Sequence, residues 1–203
     1  MGTIRAILTV AAVAAVVIGA GVQQDDLRAA RTKGNPGASV TVFEMADFQC
    51  PVCARFVRET FPTLERDYIA TGKVKWVFVN FPLPMHPNAE PAAEVAMCAA
   101  KQNRFWPMHD LLYRHQSDWE NLPQPGTYFL GLADSAGTDR DQMFQCLKNG
   151  ATRDLVRTDA EGSTRSGATG TPNFYIEKGL IRGAIPLPQF RAVLDSIIRT
   201  KSH

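Results

Sequence analysis

The chain has 203 residues, 22 lysines and arginines against 20 aspartates and glutamates, and a formal net charge of +2. That length allows one ordinary domain, or a domain with an insertion. Charge so evenly balanced excludes the concentrated basic face of a nucleic-acid binder.

The first segment differs in kind from the rest. Arg5 precedes an uncharged apolar run from Ala6 to Val22, which Gln23-Gln24-Asp25-Asp26 ends. Residues 1–22 therefore read as an export signal peptide or an N-terminal membrane anchor. Arg5 on the inner side agrees with the positive-inside rule and places the remainder outside the cytoplasm. Residues 23–37 are polar and close with Gly34-Asn35-Pro36-Gly37, which predicts a tether or a loosely held lead-in.

Regular structure is expected from about residue 39. Val40-Thr41-Val42-Phe43-Glu44-Met45 is rich in β-branched and aromatic residues and predicts a strand over 39–46. A helix follows over about 51–70, with Phe56, Phe61 and Leu64 on its apolar side, a kink at Pro62 and a stop at Thr71-Gly72. Val74 to Val79 predicts a central strand. From Pro87 to about Thr164 the pattern is helical, with helices over Glu90–Lys101, Phe105–His115, Tyr128–Ser135, Arg140–Leu147 and Ala151–Thr164. This span is too long for a loop and must bury its own apolar face. Asn173–Ile176 and Leu180–Gly183 read as a closing hairpin. Gln189–Ile198 reads as an amphipathic helix with Phe190, Val193, Leu194 and Ile197 on one face.

The chemistry centres on Cys50-Pro51-Val52-Cys53. Pro51 suits the first helical position, since its φ is already helical and its missing N–H would have gone unpaired. Cys50 then falls at the N-cap, where free N–H groups and the helix dipole favour a thiolate. Such placement lowers a thiol pKa from about 8.5 into a range of roughly 3.5–7.5. Cys50 is the expected nucleophile and Cys53, one turn inside, the resolving thiol. Half of a zinc site is the competing interpretation, but zinc wants a second closely spaced pair, and Cys98 and Cys146 stand far apart. In an exported protein an even cysteine count predicts that these two form a structural disulfide; two free buried thiols or a second redox relay are the alternatives. The four histidines, His86, His109, His115 and His203, are expected to be structural or on the surface.

A second signal is Gly167-Ala168-Thr169-Gly170-Thr171-Pro172, a Gly-rich turn running into Asn173-Phe174-Tyr175-Ile176. With Val42–Cys53, Asn80–Asn88 and Phe105–Tyr113, it makes the chain resemble the DsbA-like branch of the thioredoxin superfamily over about residues 38–198. The resemblance implies an α/β thioredoxin-like fold with an inserted α-helical subdomain. The first part would be 38–86, the insertion 87–164 and the second part 165–203. It also implies a cis Thr171-Pro172 bond facing the CxxC. Thr171, Pro172, Pro51 and Val52 would meet substrate there. Glu44 would be a buried acid moving a proton to and from Cys53; Val42 shares its face. Glu44 pointing to solvent is the competing interpretation. Asp47 is expected to shape the turn. The best-known oxidant of the family has His where this chain has Val52, which neither donates a hydrogen bond nor adds charge.

The function expected is an extracytoplasmic thiol–disulfide oxidoreductase that introduces disulfides into exported, cysteine-bearing proteins. By resemblance, a quinone-linked membrane partner would reoxidise it. No metal, organic cofactor or nucleic acid is implied, and a monomer is expected. An isomerase or reductase would use the same residues in the opposite sense. A copper-delivery protein or a holdase would be a binder of a different class.

Overall fold

The computed structural model describes residues 27–201, so the apolar run of residues 1–22 lies outside the described residues. Among the described residues no helix is long and apolar enough to cross a membrane.

The core of the fold is a five-stranded sheet in the order β1-β3-β2-β4-β5. The strands are β1 (Thr32–Lys33), β2 (Val40–Ala46), β3 (Val74–Asn80), β4 (Asn173–Ile176) and β5 (Gly179–Arg182). β2 and β3 are parallel, in register from Val40↔Val74 to Ala46↔Asn80. A parallel pair needs a crossover, and α1 (Pro51–Glu59) supplies it. β4 joins β2 antiparallel, with Glu44 opposite Phe174. This topology brings the end of β2 and the start of β4 together although their residues are far apart in sequence.

The expected 51–70 helix is interrupted. α1 stops at Thr60, whose N–H bonds Phe56 O, and α2 (Phe61–Leu64) restarts with Pro62 in its first turn. A wider π-type turn over Glu65–Ile69 follows, and Gly72 at φ +75° closes it. The expected kink is thus a break, because Pro62 has no N–H to continue the helical ladder.

The expected tether also differs. Leu27 is buried, Arg31 is buried, and β1 pairs antiparallel with β3. Arg31 is held by Asp159, which also accepts bonds from Asn80 N and Asn80 Nδ2. Gly34 turns the chain at φ +97°, where an added Cβ would lie 2.5 Å from Val74 O. Polar composition pointed to a tether, but one buried ion pair and one close turn suffice to fix the lead-in.

Between β3 and β4 run α3 (Ala89–Ala100), α4 (Phe105–Arg114), α5 (Gln116–Trp119), α6 (Gly126–Ser135), α7 (Arg140–Lys148) and α8 (Arg153–Arg165). α9 (Leu187–Lys201) packs back on the sheet. Two main cores result. One joins α9 to the sheet through Phe56, Trp76, Phe174 and Phe190. The other fills the helical span with α3 alanines, Met97, Met108, Trp119 and Phe129, and reaches Cys50, Cys53 and Ala54. α1 lies between them, with Cys53 in one core and Phe56 in the other. Each aliphatic or aromatic side chain fully buried there contributes roughly 1.5–3 kcal/mol, so the helix carrying the thiols is held from both sides.

Candidate active site

Cys50 is the N-cap of α1, with extended backbone (φ −73°, ψ 121°), and Pro51 opens the helix. The cap makes no side-chain hydrogen bond to the helix, which leaves the sulfur available. Cys50 and Cys53 are both free thiols, 5 % and 0 % exposed. The pair splits electrostatically. Cys50 is pulled from its ordinary 9.0 to about 6, first by a hydrogen bond from the Cys53 thiol. Burial opposes this, while the Thr171 side chain and the N–H groups of Cys53 and Val52 add to it. Cys53 is pushed well above its ordinary value, first by burial and then by its neighbour Cys50. At neutral pH one sulfur is therefore a thiolate and the other its proton-bearing partner.

Thr171-Pro172 is a cis peptide bond. The Cys50 thiol, when protonated, donates to Thr171 O at 3.5 Å. Thr171 Oγ1 is buried with no hydrogen-bond partner, and so is free to turn toward a thiolate. Sheet topology explains the meeting: Asn173 pairs with Met45 across β2 and β4, which sets the 168–172 turn beside the turn leading to Cys50. Pro51 is exposed and Val52 half-buried beside it.

Glu44 is 1 % exposed. Burial raises its carboxyl from 4.5 to about 7, against the hydrogen bond it accepts from Trp76. Trp76 Nε1 donates to Oε2 at 2.8 Å, and Oε1 has no partner. Glu44 is thus inside, and its hydrogen bond goes to Trp76 rather than to either cysteine. Tyr113 lies in the same field: burial raises its hydroxyl well above the ordinary value, with charge at Cys53, Glu44 and Asp47 adding to the rise.

Residues that the motif did not point to fix the turn before Cys50. The Asp47 side chain is fully buried. Oδ1 accepts from Gln49 N at 2.7 Å. Oδ2 accepts from Leu83 N at 2.8 Å and pairs with His86 Nδ1 at 2.7 Å. Cys50 N donates to Asp47 O at 3.1 Å. Gln116 Nε2 donates to Phe48 O and Cys50 O, and Gln49 Oε1 accepts from Asn88 N. Asp47 does shape the turn, as expected. The signal that could have revealed its partners was a polar Asp-Phe-Gln stretch following a buried strand, which must find donors from elsewhere.

Cys98 and Cys146 are bonded to each other, linking α3 to α7. Cys98 is 1 % exposed. Among the described residues no three His, Cys, Asp or Glu side chains gather as a metal site needs. His109 is wholly buried among Phe48, Phe78, Phe105, Trp106 and Tyr113. Burial lowers its pKa, while Asp110 on Nδ1 acts in the opposite sense. His203 lies outside the described residues.

A parallel βαβ unit with a cis-proline turn facing a CxxC helix defines the thioredoxin class of fold. The thioredoxin family model matches residues 27–196, and the chain belongs to that family, as a member of its DsbA-like branch. Disulfide bond formation protein D of Bacillus subtilis is 25 % identical, over 88 % of this chain and 81 % of that protein. The crystal structure of oxidised BdbD from Bacillus subtilis superposes with a TM-score of 0.75 at 25 % identity, covering 83 % of this chain and 92 % of that one. The Na(+)/H(+) antiporter NhaA 1 of Salinispora arenicola is 31 % identical over 81 % of this chain. The chain spans only 24 % of that relative's length.

Proposed function

We propose that the chain is an extracytoplasmic thiol–disulfide oxidoreductase that makes disulfides in cysteine-bearing exported proteins. The observation that carries this is the split pair: one sulfur at about 6, the other pushed far above it, beside a cis-proline turn. In the oxidised protein a substrate thiolate attacks Cys50 Sγ. The Cys50–Cys53 bond breaks, and Cys53 leaves with the electron pair and takes a proton. Glu44, half-protonated near neutral pH, is suited to supply that proton, directly or through water. A second substrate thiolate then attacks the substrate sulfur of the mixed disulfide. Cys50 departs as a stable thiolate, the substrate has lost two electrons, and the pair is reduced. A low leaving-group pKa speeds this release.

The edge of the Thr171-Pro172 turn suits pairing with an extended substrate segment. Pro51 and Val52 flank it, and the four residues form the substrate-contact set. Reoxidation by a quinone-linked membrane partner completes the cycle, and residues 1–22 hold or deliver the domain on the outer side. The antiporter relatives agree with work close to a membrane. The Cys98–Cys146 bond serves as a brace within the helical span.

A reductase or isomerase would run the same atoms backwards, and Val52, which offers the Cys50 sulfur no side-chain donor, favours a milder oxidant than a His would. Equilibration of the purified protein with glutathione buffers decides the direction. A Cys50–Cys53 couple more oxidising than the glutathione pool, with oxidation of a reduced unfolded protein, supports the oxidase. A couple as reducing as thioredoxin's would overturn it. Copper bound tightly by the reduced protein, without exchange activity, would favour the carrier.

A further inference from the structure

We propose that His86 is a positioning residue for the exchange reaction, tuning Cys50 through the buried carboxylate of Asp47. The inference rests on the reading of Cys50–Cys53 as the exchange pair, and reaches a residue outside the motif.

Asp47 stands three positions before Cys50 in the turn that connects β2 to α1. Its carboxylate is fully enclosed and takes two backbone donors, Gln49 N and Leu83 N. The remaining contact is His86 Nδ1 at 2.7 Å, the one side-chain partner of that carboxylate among the described residues. The His86 side chain is 16 % exposed, so its far edge reaches the surface while Nδ1 points inward. A buried carboxylate needs compensation. Here two amides and one imidazole supply it.

The geometry ties this compensation to the nucleophile. Cys50 N donates to Asp47 O, and Ala54 N donates to Cys50 O. The backbone of Asp47 also acts on Cys53. The carboxylate accepts from the amide of Gln49, the residue next to Cys50; negative charge in this turn opposes a thiolate at Cys50, and the His86 N–H draws that charge toward the 81–88 loop. Removing the donor leaves more of that charge uncompensated in the turn that carries Cys50. His86 thus acts on Cys50 without touching it. The loop is held to the turn independently of His86 by Phe81 N on Ala46 O, Leu83 N on Asp47 Oδ2 and Asn88 N on Gln49 Oε1. Loss of the imidazole therefore removes a donor rather than the loop.

The experiment compares His86→Leu, which has bulk and no donor, with His86→Asn, which keeps an N–H donor. Two quantities are read in the full chain: the Cys50 thiolate titration by ultraviolet absorbance, and the equilibrium constant of the Cys50–Cys53 couple with glutathione. In His86→Leu the thiolate should form at higher pH, and the couple should become roughly three- to tenfold less oxidising. His86→Asn should restore both to within about twofold of the parent. A residue that merely braces the fold would lower the melting temperature of both variants and leave both redox quantities unmoved. Unmoved values in His86→Leu, or equal shifts in Leu and Asn, overturn the proposal. If Leu does not fold, Asn decides alone: a shift beyond tenfold, or failure to fold with the donor kept, counts against it. If the parent itself shows no exchange with glutathione, it is the reading of Cys50–Cys53 that fails, and the two failures are thereby told apart.

Discussion

The chain holds two cysteine pairs that lie in one continuous apolar core and have opposite characters. Cys98 and Cys146 join two helices and are bonded, with the Thr152 hydroxyl 3.7 Å from Cys98 Sγ. Cys50 and Cys53 sit a single turn apart at a helix start and are free. Both pairs are largely buried, so burial does not distinguish them. What distinguishes them is the supply of hydrogen-bond donors to one sulfur. Cys50 receives the Cys53 thiol and two backbone N–H groups, and that asymmetry makes a reactive pair out of two otherwise ordinary thiols.

The strongest way to break this contrast is to remove one sulfur. Cys50→Ser should abolish exchange entirely, while Cys53→Ser should accumulate mixed disulfides with substrate, visible as adducts on non-reducing gels. Alkylation of the reduced parent at mildly acidic pH should label Cys50 first; labelling of Cys53 first would reverse the assignment.

The opposite test falls on the other pair. The bond closes a sequence separation of 48, which on the chain-entropy model contributes about 4 kcal/mol. Replacing both Cys98 and Cys146 with Ser should lower the thermal midpoint by roughly 8–16 °C and leave the Cys50–Cys53 potential nearly unchanged. Loss of activity with the fold intact would make this pair a relay instead of a brace.

Glu44 sharpens the contrast from below. Its folded pKa, about 7, lies above its ordinary 4.5. The protonated carboxyl is therefore the form the fold favours. The stability it contributes is complete below about pH 4.5 and is lost as pH rises through about 7. Ionising it in place costs about 3 kcal/mol. Glu44→Gln should gain up to that much at pH 8 relative to the parent, with the gain vanishing by pH 4, in urea titrations at each pH. The same variant should slow formation of the mixed disulfide, the step in which Cys53 leaves and takes a proton. A flat difference across pH would mean that the carboxyl is not where burial raises it.

The smallest effect is expected at Val52. Val52→His adds a donor beside Cys50, and should lower its pKa from about 6 and make the couple up to about tenfold more oxidising. No change would show that the Cys53 thiol and backbone donors already saturate the site.

Much of this was legible in the sequence because local rules governed it. Pro51 after Cys50 and β-branched residues before it mark a strand, a turn and a helix start, and these alone place Cys50 at the N-cap. The fold class and the helical span between β3 and β4 followed from periodicity and from the resemblance. What escaped were long-range polar pairings. Arg31 with Asp159 and Asp47 with His86 join residues far apart in the chain, and no window of sequence shows that a charge will meet its partner. The lead-in over Leu27–Lys33 was read as a tether for that reason. Likewise Pro62 announced a kink, and with no N–H there to continue the ladder the helix is interrupted at Thr60.

That lead-in has a mechanical consequence. β1 adds only Thr32 and Lys33 to the outer side of β3, an attachment that peels apart one bond at a time when pulled. Arg31, directly before it, is clamped to Asp159 on α8, and Asp159 also grips Asn80 at the end of β3. Tension entering the domain through Leu27 is therefore delivered first to a three-way knot of sheet, helix and lead-in. Leu27, just upstream of that knot, packs in the same core cluster as Cys50 and Cys53, so knot and core together hold the lead-in.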